Sequence, residues 1–222
     1  MKFSTPVCLR LFKFFIASAA IFAFSSCSNA EEEGTVSLNI PSSFCEQIAA
    51  RAPYSGTSTG GAATEMKVFV TGDYEARKTV WLTPGDNITL QFDGIKVGSY
   101  IHVVLLVVDE SASSGSCTIG ISDEIPIYGK YENSVAPRFN TLNLSYTDAF
   151  DNENDPGDCT STSLLLDRDL PGCTYKWKFG SGPTIITSSA KCTSSPHTTM
   201  GDSYCTIYCD GTEITTLGIS RA

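Results

Sequence analysis

The sequence predicts an all-β protein, built as two β-sandwich-like domains behind an N-terminal export segment. Three observations predict it. Apolar and polar residues alternate with a period of two in one short stretch after another, the pattern of half-buried strands. Turn-forming pairs (Gly72-Asp73, Pro84-Gly85, Asp93-Gly94, Asp210-Gly211) separate those stretches at short spacing. Stretches with helical periodicity are few, while the 41% hydrophobic content is enough for real cores.

The export segment comes first. Lys2, Arg10 and Lys13 precede the apolar run Phe14 to Phe24. A basic region, an apolar run and a small-residue exit describe a secretory signal peptide. The run is too short to span a bilayer, which takes ~20 apolar residues. It ends in Phe24-Ser25-Ser26-Cys27. That stretch resembles a bacterial lipobox, in the loose form seen in spirochaetal lipoproteins. The common form carries Leu where Phe24 stands and Gly or Ala where Ser26 stands. The resemblance implies that residues 1–26 are removed and that Cys27 becomes the acylated, palmitate-type N-terminus of an outer-membrane lipoprotein, on its periplasmic or surface face. A second reading uses the same stretch. Ser28-Asn29-Ala30 fits the small-x-small rule of ordinary signal peptidase, whose cleavage before Glu31 would release a secreted, soluble chain. Residues 27–34, with Glu31-Glu32-Glu33, read as the lipidated cysteine and a short acidic tether.

Removing residues 1–27 takes away three cations and no acid. That leaves 12 Lys and Arg against 24 Asp and Glu, a formal charge of −12. Such a chain is unsuited to nucleic acid, whose affinity comes from neutralising phosphates. It is equally unsuited to anionic lipid through its own charge, so the membrane is met through the lipid alone. A basic partner is favoured electrostatically.

The first domain is expected over residues 35–147. Val36, Leu38 and Ile40 share one face of a strand, with Ser37 and Asn39 on the other. Pro41 to Ala52 suits a short helix capped by Ser42 or Ser43, with Phe44, Ile48 and Ala49 on one face. Pro53 to Ala63 is a Gly/Ser/Thr loop. Strands follow around Met66-Val68-Val70, Thr79 to Leu82 and Ile88-Leu90-Phe92. Tyr100 to Val108 is apolar on both faces and should be a central strand covered on both sides. Ile125-Pro126-Ile127 suits an edge strand, and Leu142 to Tyr146 a further strand. Asp93-Gly94-Ile95-Lys96-Val97-Gly98-Ser99-Tyr100 and the long apolar strand after it resemble prealbumin-like and immunoglobulin-like modules of bacterial surface proteins. The likeness covers roughly residues 34–147 and implies a fold, not an activity.

Residues 148–158 form a polar, Pro/Gly-containing run and are expected to be an acidic linker. Residues 159–222 are expected to be a small Cys-rich β domain. Cys173, Tyr175, Trp177 and Phe179 alternate with Thr174, Lys176 and Lys178, and Cys205, Ile207 and Cys209 with Tyr204, Thr206 and Tyr208. Asp210-Gly211 then turns the chain into a returning strand from Thr212 to Ile219. A tryptophan strand followed by a Tyr/Cys strand resembles a shortened Ig-like or PKD-like sandwich. So small a core would need disulfides.

Seven cysteines follow Cys27: Cys45, Cys117, Cys159, Cys173, Cys192, Cys205 and Cys209. In an oxidising compartment all are disulfide candidates, and an odd number leaves one over. Cys205 and Cys209 lie four apart on one strand, about 13 Å between Cα atoms when extended. A disulfide needs less than about 7 Å, so these two do not pair with each other. Cys173 is the best candidate partner for one of them, with Cys159 and Cys192 competing for the other. Cys45 with Cys117 is the expected pair in the first domain.

No constellation reads as catalytic. Gly56-Thr57-Ser58-Thr59-Gly60 matches G-x-S-x-G but lacks the flanking strand and helix that motif needs. His102 lies in the most apolar strand, as a packed or inter-sheet histidine would, and His197 lies in a loop. Cys192, His197, Cys205 and Cys209 contain no tight zinc-ligand pair such as C-x-x-C. Asp151, Glu153, Asp155 and Asp158 are the one oxygen-rich cluster that suits calcium, although Pro156 occupies the position where an EF-hand needs glycine. The expectation is a non-enzymatic envelope lipoprotein that binds a protein or glycan partner. The alternative is a periplasmic small-ligand or calcium-binding lipoprotein.

Overall fold

Because one strand is apolar on both faces, it can sit only in the middle layer of a stack, and the chain is built around it. In a computed structural model of the protein, the described residues are 32–51, 64–108, 115–129, 132–135, 138–150, 159–194 and 201–220. They are mostly strand, with one short helix.

The middle layer is an eight-stranded sheet. Its order is β13 (Lys191–Ser194), β10 (Cys159–Leu166), β9 (Arg138–Phe150), β6 (Ser116–Ile121), β5 (Tyr100–Val108), β2 (Thr64–Gly72) and β3 (Ala76–Leu82). The short β7 (Ile125–Pro126) also pairs with β5. All of these pairings are antiparallel. One outer layer holds β4 (Ile88–Lys96), β1 (Glu33–Ile40) and β8 (Glu132–Val135), with β1 and β8 parallel. The other outer layer holds β12 (Thr184–Thr187), β11 (Cys173–Lys178), β14 (Ser203–Cys209) and β15 (Thr212–Ile219).

Alternation along each strand divides the apolar residues between two cores. Ile101, Val103, Leu105 and Val107 of β5, with Met66, Val68 and Val70 of β2, pack against Val36, Leu38, Phe92 and Ile95 of the three-stranded layer. Val104 and Leu106 of β5, with Phe69, Cys117, Leu142 and Leu164, pack against Tyr175, Trp177, Ile207 and Leu217 of the four-stranded layer. The covering of β5 on both faces therefore follows the sequence pattern.

The helix α1 (Ser42–Arg51) closes the first core with Cys45 and Ile48, and Phe44 stacks on Phe139 with ring centroids 3.7 Å apart. Its start differs from the expected serine cap. The Ser42 N–H donates to Asn87 Oδ1 at 3.0 Å, so a side chain from the β3–β4 connection takes the capping role.

The expected division at 148–158 does not separate two cores. Asp148 to Phe150 continue β9, and β10 pairs with β9 from Cys159 to Leu166 in the same sheet. Residues 33–222 form one compact unit. The physical reason is that the aromatic face of β11 has a large apolar surface to cover and finds it on β5, β6 and β9. Tyr175 and Trp177 are fully buried there. Their polar atoms are satisfied locally: the Leu170 N–H donates to Tyr175 Oη at 2.7 Å, and Trp177 Nε1–H donates to Thr187 Oγ1 at 2.8 Å. Among the described residues no two cysteine sulfurs stand at bonding distance, and Cys173 and Cys209 face each other as direct cross-strand partners.

Candidate functional site

Two cross-strand pairs face each other at the rim where the middle layer meets the four-stranded layer. On the middle sheet, Thr71 of β2 and His102 of β5 are direct register partners. Both lie on the face that carries Phe69, Val104 and Leu106. On the outer sheet, Cys173 of β11 and Cys209 of β14 are direct partners. The Asp210 N–H donates to the Gly172 carbonyl at 3.3 Å, which brackets the cysteines as a non-hydrogen-bonded pair, the kind with closer side chains.

The Asp210-Gly211 turn supplies the fifth group. Cys209 pairs with Thr212, so these two residues form the whole loop, and both have positive φ (47° and 84°). That is the type I′ geometry which matches the twist of its strands. It aims the Asp210 carboxylate back at the middle sheet. Oδ2 accepts from the Thr71 hydroxyl at 2.8 Å and from His102 Nδ1 at 2.9 Å. Cys209 Sγ lies 3.5 Å from Thr71 Oγ1 and 3.8 Å from Asp210 Oδ2. His102, Cys209 and Asp210 thus bring nitrogen, sulfur and oxygen atoms within 4.8 Å of one another.

Gly172 holds the back of the imidazole. A Cβ there would lie 2.9 Å from His102 Cε1, and its φ is +66°. Gly72 plays a similar part beside it, where a Cβ would meet the Tyr100 carbonyl at 2.5 Å. The Tyr100 N–H donates to Asp73 Oδ2 at 2.9 Å, which fixes that loop.

The site opens into a cleft of 390 Å³ lined by Gly72, Asp73, Tyr100, His102, Glu124 and Asp210. His102 is at its inner end, buried to 8% exposure, while the three carboxylates and the Tyr100 ring are exposed. The lining is therefore strongly acidic with one aromatic wall. Of the two neighbouring thiols, Cys209 ionises the more readily. The hydrogen bond from Cys173 and then that from Thr71 lower it, against the burial that raises it. Cys173 is pushed up by the same bond and by burial. A cysteine, a histidine and an aspartate are also the parts of a thiol nucleophile. Cys209 is fully buried, however, and its sulfur is engaged by Cys173 and Thr71, which leaves a substrate carbonyl no approach.

The other sequence-named cysteines are dispersed. Cys45 and Cys117, the pair expected in the first domain, lie in opposite cores with the middle sheet between them. That pairing is corrected. Cys117 and Cys205 are each pushed up to about 12, in both cases mainly by burial. Charges on Cys192 and Cys117 add to the shift at Cys205, so these three share one region of the second core. Cys205 and Cys209 remain on one strand, opposite Trp177 and Cys173 respectively. Cys159 is half-buried, with its thiol near the Ser161 carbonyl at 3.6 Å.

Cys27, His197, the Gly56–Gly60 motif and the calcium candidates Asp151, Glu153, Asp155 and Asp158 lie outside the described residues. No helix among the described residues is long and apolar enough to cross a membrane. Sequence reasoning missed the alliance of His102 with Asp210 because they are 108 positions apart. The available signal was chemical: an imidazole inside an apolar strand needs a polar partner from another layer. No family model matches this chain, and no curated protein matches its sequence.

Proposed function

We propose that this chain is a lipid-anchored protein of the bacterial cell envelope that works by binding and not by turnover, and that it binds a glycan in the cleft at Tyr100. The observation that carries the reading is the lining of that cleft. A half-exposed tyrosine ring stands beside Asp73, Glu124 and Asp210. Carboxylates accept hydrogen bonds from sugar hydroxyls, and an aromatic face covers the apolar side of a sugar ring. A cleft of this volume falls in the range of small-ligand sites, at about 300–1,000 Å³. The anchor is supported by Cys27, placed directly after the apolar export run. Absence of turnover is supported by the burial of Cys209, the one thiol near a histidine and a carboxylate among the described residues.

The test is a saccharide panel probed with the full chain in detergent, beside a panel of basic and acidic proteins. The expected result is saccharide binding that Tyr100→Ala weakens by at least about fivefold, the loss of one aromatic anchor. Asp73→Asn weakens it too, while Trp81→Ala, on the far end of β3, leaves it unchanged. Binding to proteins alone would replace the glycan by a protein partner. Reproducible turnover of a bound saccharide would replace binding by catalysis.

A further inference from the structure

We propose that the inner end of this cleft is a binding site for one transition-metal cation of the zinc class, held by His102, Cys209 and Asp210. The inference rests on the reading of the cleft as the binding locus and names a ligand for its deepest part.

The donor set selects the metal. Calcium and magnesium take shells of oxygen, six to eight and six respectively. An imidazole nitrogen and a thiol sulfur beside one carboxylate suit a borderline cation such as zinc instead. The spacing is close to what such an ion needs. His102 Nδ1 and Asp210 Oδ2 are 2.9 Å apart, Cys209 Sγ is 3.8 Å from that oxygen, and all three donors lie within 4.8 Å. Zinc bonds of about 2.0–2.3 Å hold tetrahedral donors roughly 3.3–3.6 Å apart, so small side-chain rotations would spread Nδ1 from Oδ2 and draw Sγ in. The ion takes the place of the Nδ1 proton, which moves to Nε2 so that the ring stays a neutral imidazole, and of the Cys209 thiol proton, which goes to solvent on binding.

The surroundings hold the donors in place. Thr71 donates to the carboxylate oxygen, Cys173 donates to Cys209, and Gly172 backs the ring. Such outer partners orient metal ligands. Asp210, the exposed member, stands at the cleft, so an ion enters past it and keeps one coordination position facing Tyr100 and Glu124. Three protein donors with one open position is the pattern of zinc sites that meet an outside ligand. The ligands come from both layers, His102 from the middle sheet and Cys209 and Asp210 from the outer one. Bound metal should therefore also stabilise the folded chain.

The experiment uses the full chain in detergent, reduced and stripped of metal, titrated with cobalt(II) as a spectroscopic substitute and then with zinc. The expected result is one equivalent of cobalt with a thiolate-to-metal charge-transfer band in the near ultraviolet, displaced by zinc, and a higher melting temperature. His102→Ala and Asp210→Asn each weaken zinc binding at least about tenfold. Cys209→Ser removes the thiolate band, while Cys159→Ser leaves everything unchanged. Asn tolerates the left-handed backbone at 210, so Asp210→Asn keeps the test sound if Cys209→Ser fails to fold. Absence of a thiolate band in the wild type, a band that survives Cys209→Ser, or zinc affinity indifferent to Asp210→Asn would each overturn the site. Tyr100-dependent saccharide binding without a cobalt spectrum removes the metal and leaves the glycan reading. A cobalt spectrum without saccharide binding does the reverse.

Discussion

Replacing Gly172 by alanine should cost more than a left-handed glycine ordinarily costs, because the new methyl meets His102. The backbone part is common to any such position, about 1–2 kcal/mol for an L-residue at positive φ. Gly85 measures that part alone, since its φ is +88° and a Cβ there meets nothing within 4 Å. At Gly172 the Cβ would lie 2.9 Å from Cε1, 3.2 Å from Nε2 and 3.4 Å from Nδ1 of His102. Carbon atoms settle at about 3.5–4.0 Å, so the ring must move by roughly 0.5–1 Å. That displacement breaks the 2.9 Å contact with Asp210. A hydrogen bond to a charged group contributes about 1.5–3 kcal/mol. Gly172→Ala should therefore destabilise the chain by about 2 kcal/mol beyond Gly85→Ala. Urea unfolding of the reduced protein, followed by tryptophan fluorescence, measures both. In a His102→Ala background the excess should vanish, because the clash and the bond are both gone. Equal costs for the two glycines, or an excess that survives His102→Ala, would refute the account of how the imidazole is held.

Three further outcomes are expected. Trp177→Ala should cost about 3–5 kcal/mol, as large core truncations do, and should shift one transition for the whole of residues 33–222. Amide exchange in Tyr100–Val108 that is untouched by this substitution would show that the four-stranded layer unfolds by itself. Cys117 and Cys205 hold their protons up to about 12, against an ordinary 9.0, mainly through burial. The unfolded chain releases those protons first, so their stabilising contribution is whole below pH 9 and is lost as the pH climbs toward 12. In unfolding curves under reducing conditions, Cys117→Ala should lose less stability over that window than the wild type. The difference should be on the order of a few kcal/mol, and identical pH profiles would contradict it. Finally, cells fed a palmitate analogue should label the wild-type chain and not Cys27→Ala. Equal labelling, or a mature N-terminus at Glu31, would remove the lipid anchor.

Much of the architecture was legible because strand periodicity is local. Ile101 to Val108 carries apolar residues on both parities, and that pattern alone requires a middle layer. The Asp210-Gly211 pair likewise identified its own hairpin. What sequence did not reveal was partnership. Asp148 to Asp158 has the composition of a linker, yet its first three residues extend β9, whose ladder with β10 joins the two halves. β10 itself was overlooked because Thr160 to Ser163 is polar, and only Thr162, Leu164 and Leu166 of its inward face are buried. Cys45 and Cys117 were expected to pair because both belong to the expected first domain, whereas the middle sheet decides which core each one enters. The site was illegible for the same reason. Thr71, His102, Cys173, Cys209 and Asp210 come from four strands and a turn in two layers, and no local spacing records that meeting.

The most direct test of the account is a crystal structure of the full chain soaked with the saccharide it binds best. The account predicts the sugar in the 390 Å³ cleft, its ring over Tyr100 and its hydroxyls on Asp73, Glu124 and Asp210. A sugar seated elsewhere, such as on the exposed Trp81 with the cleft free, would contradict it.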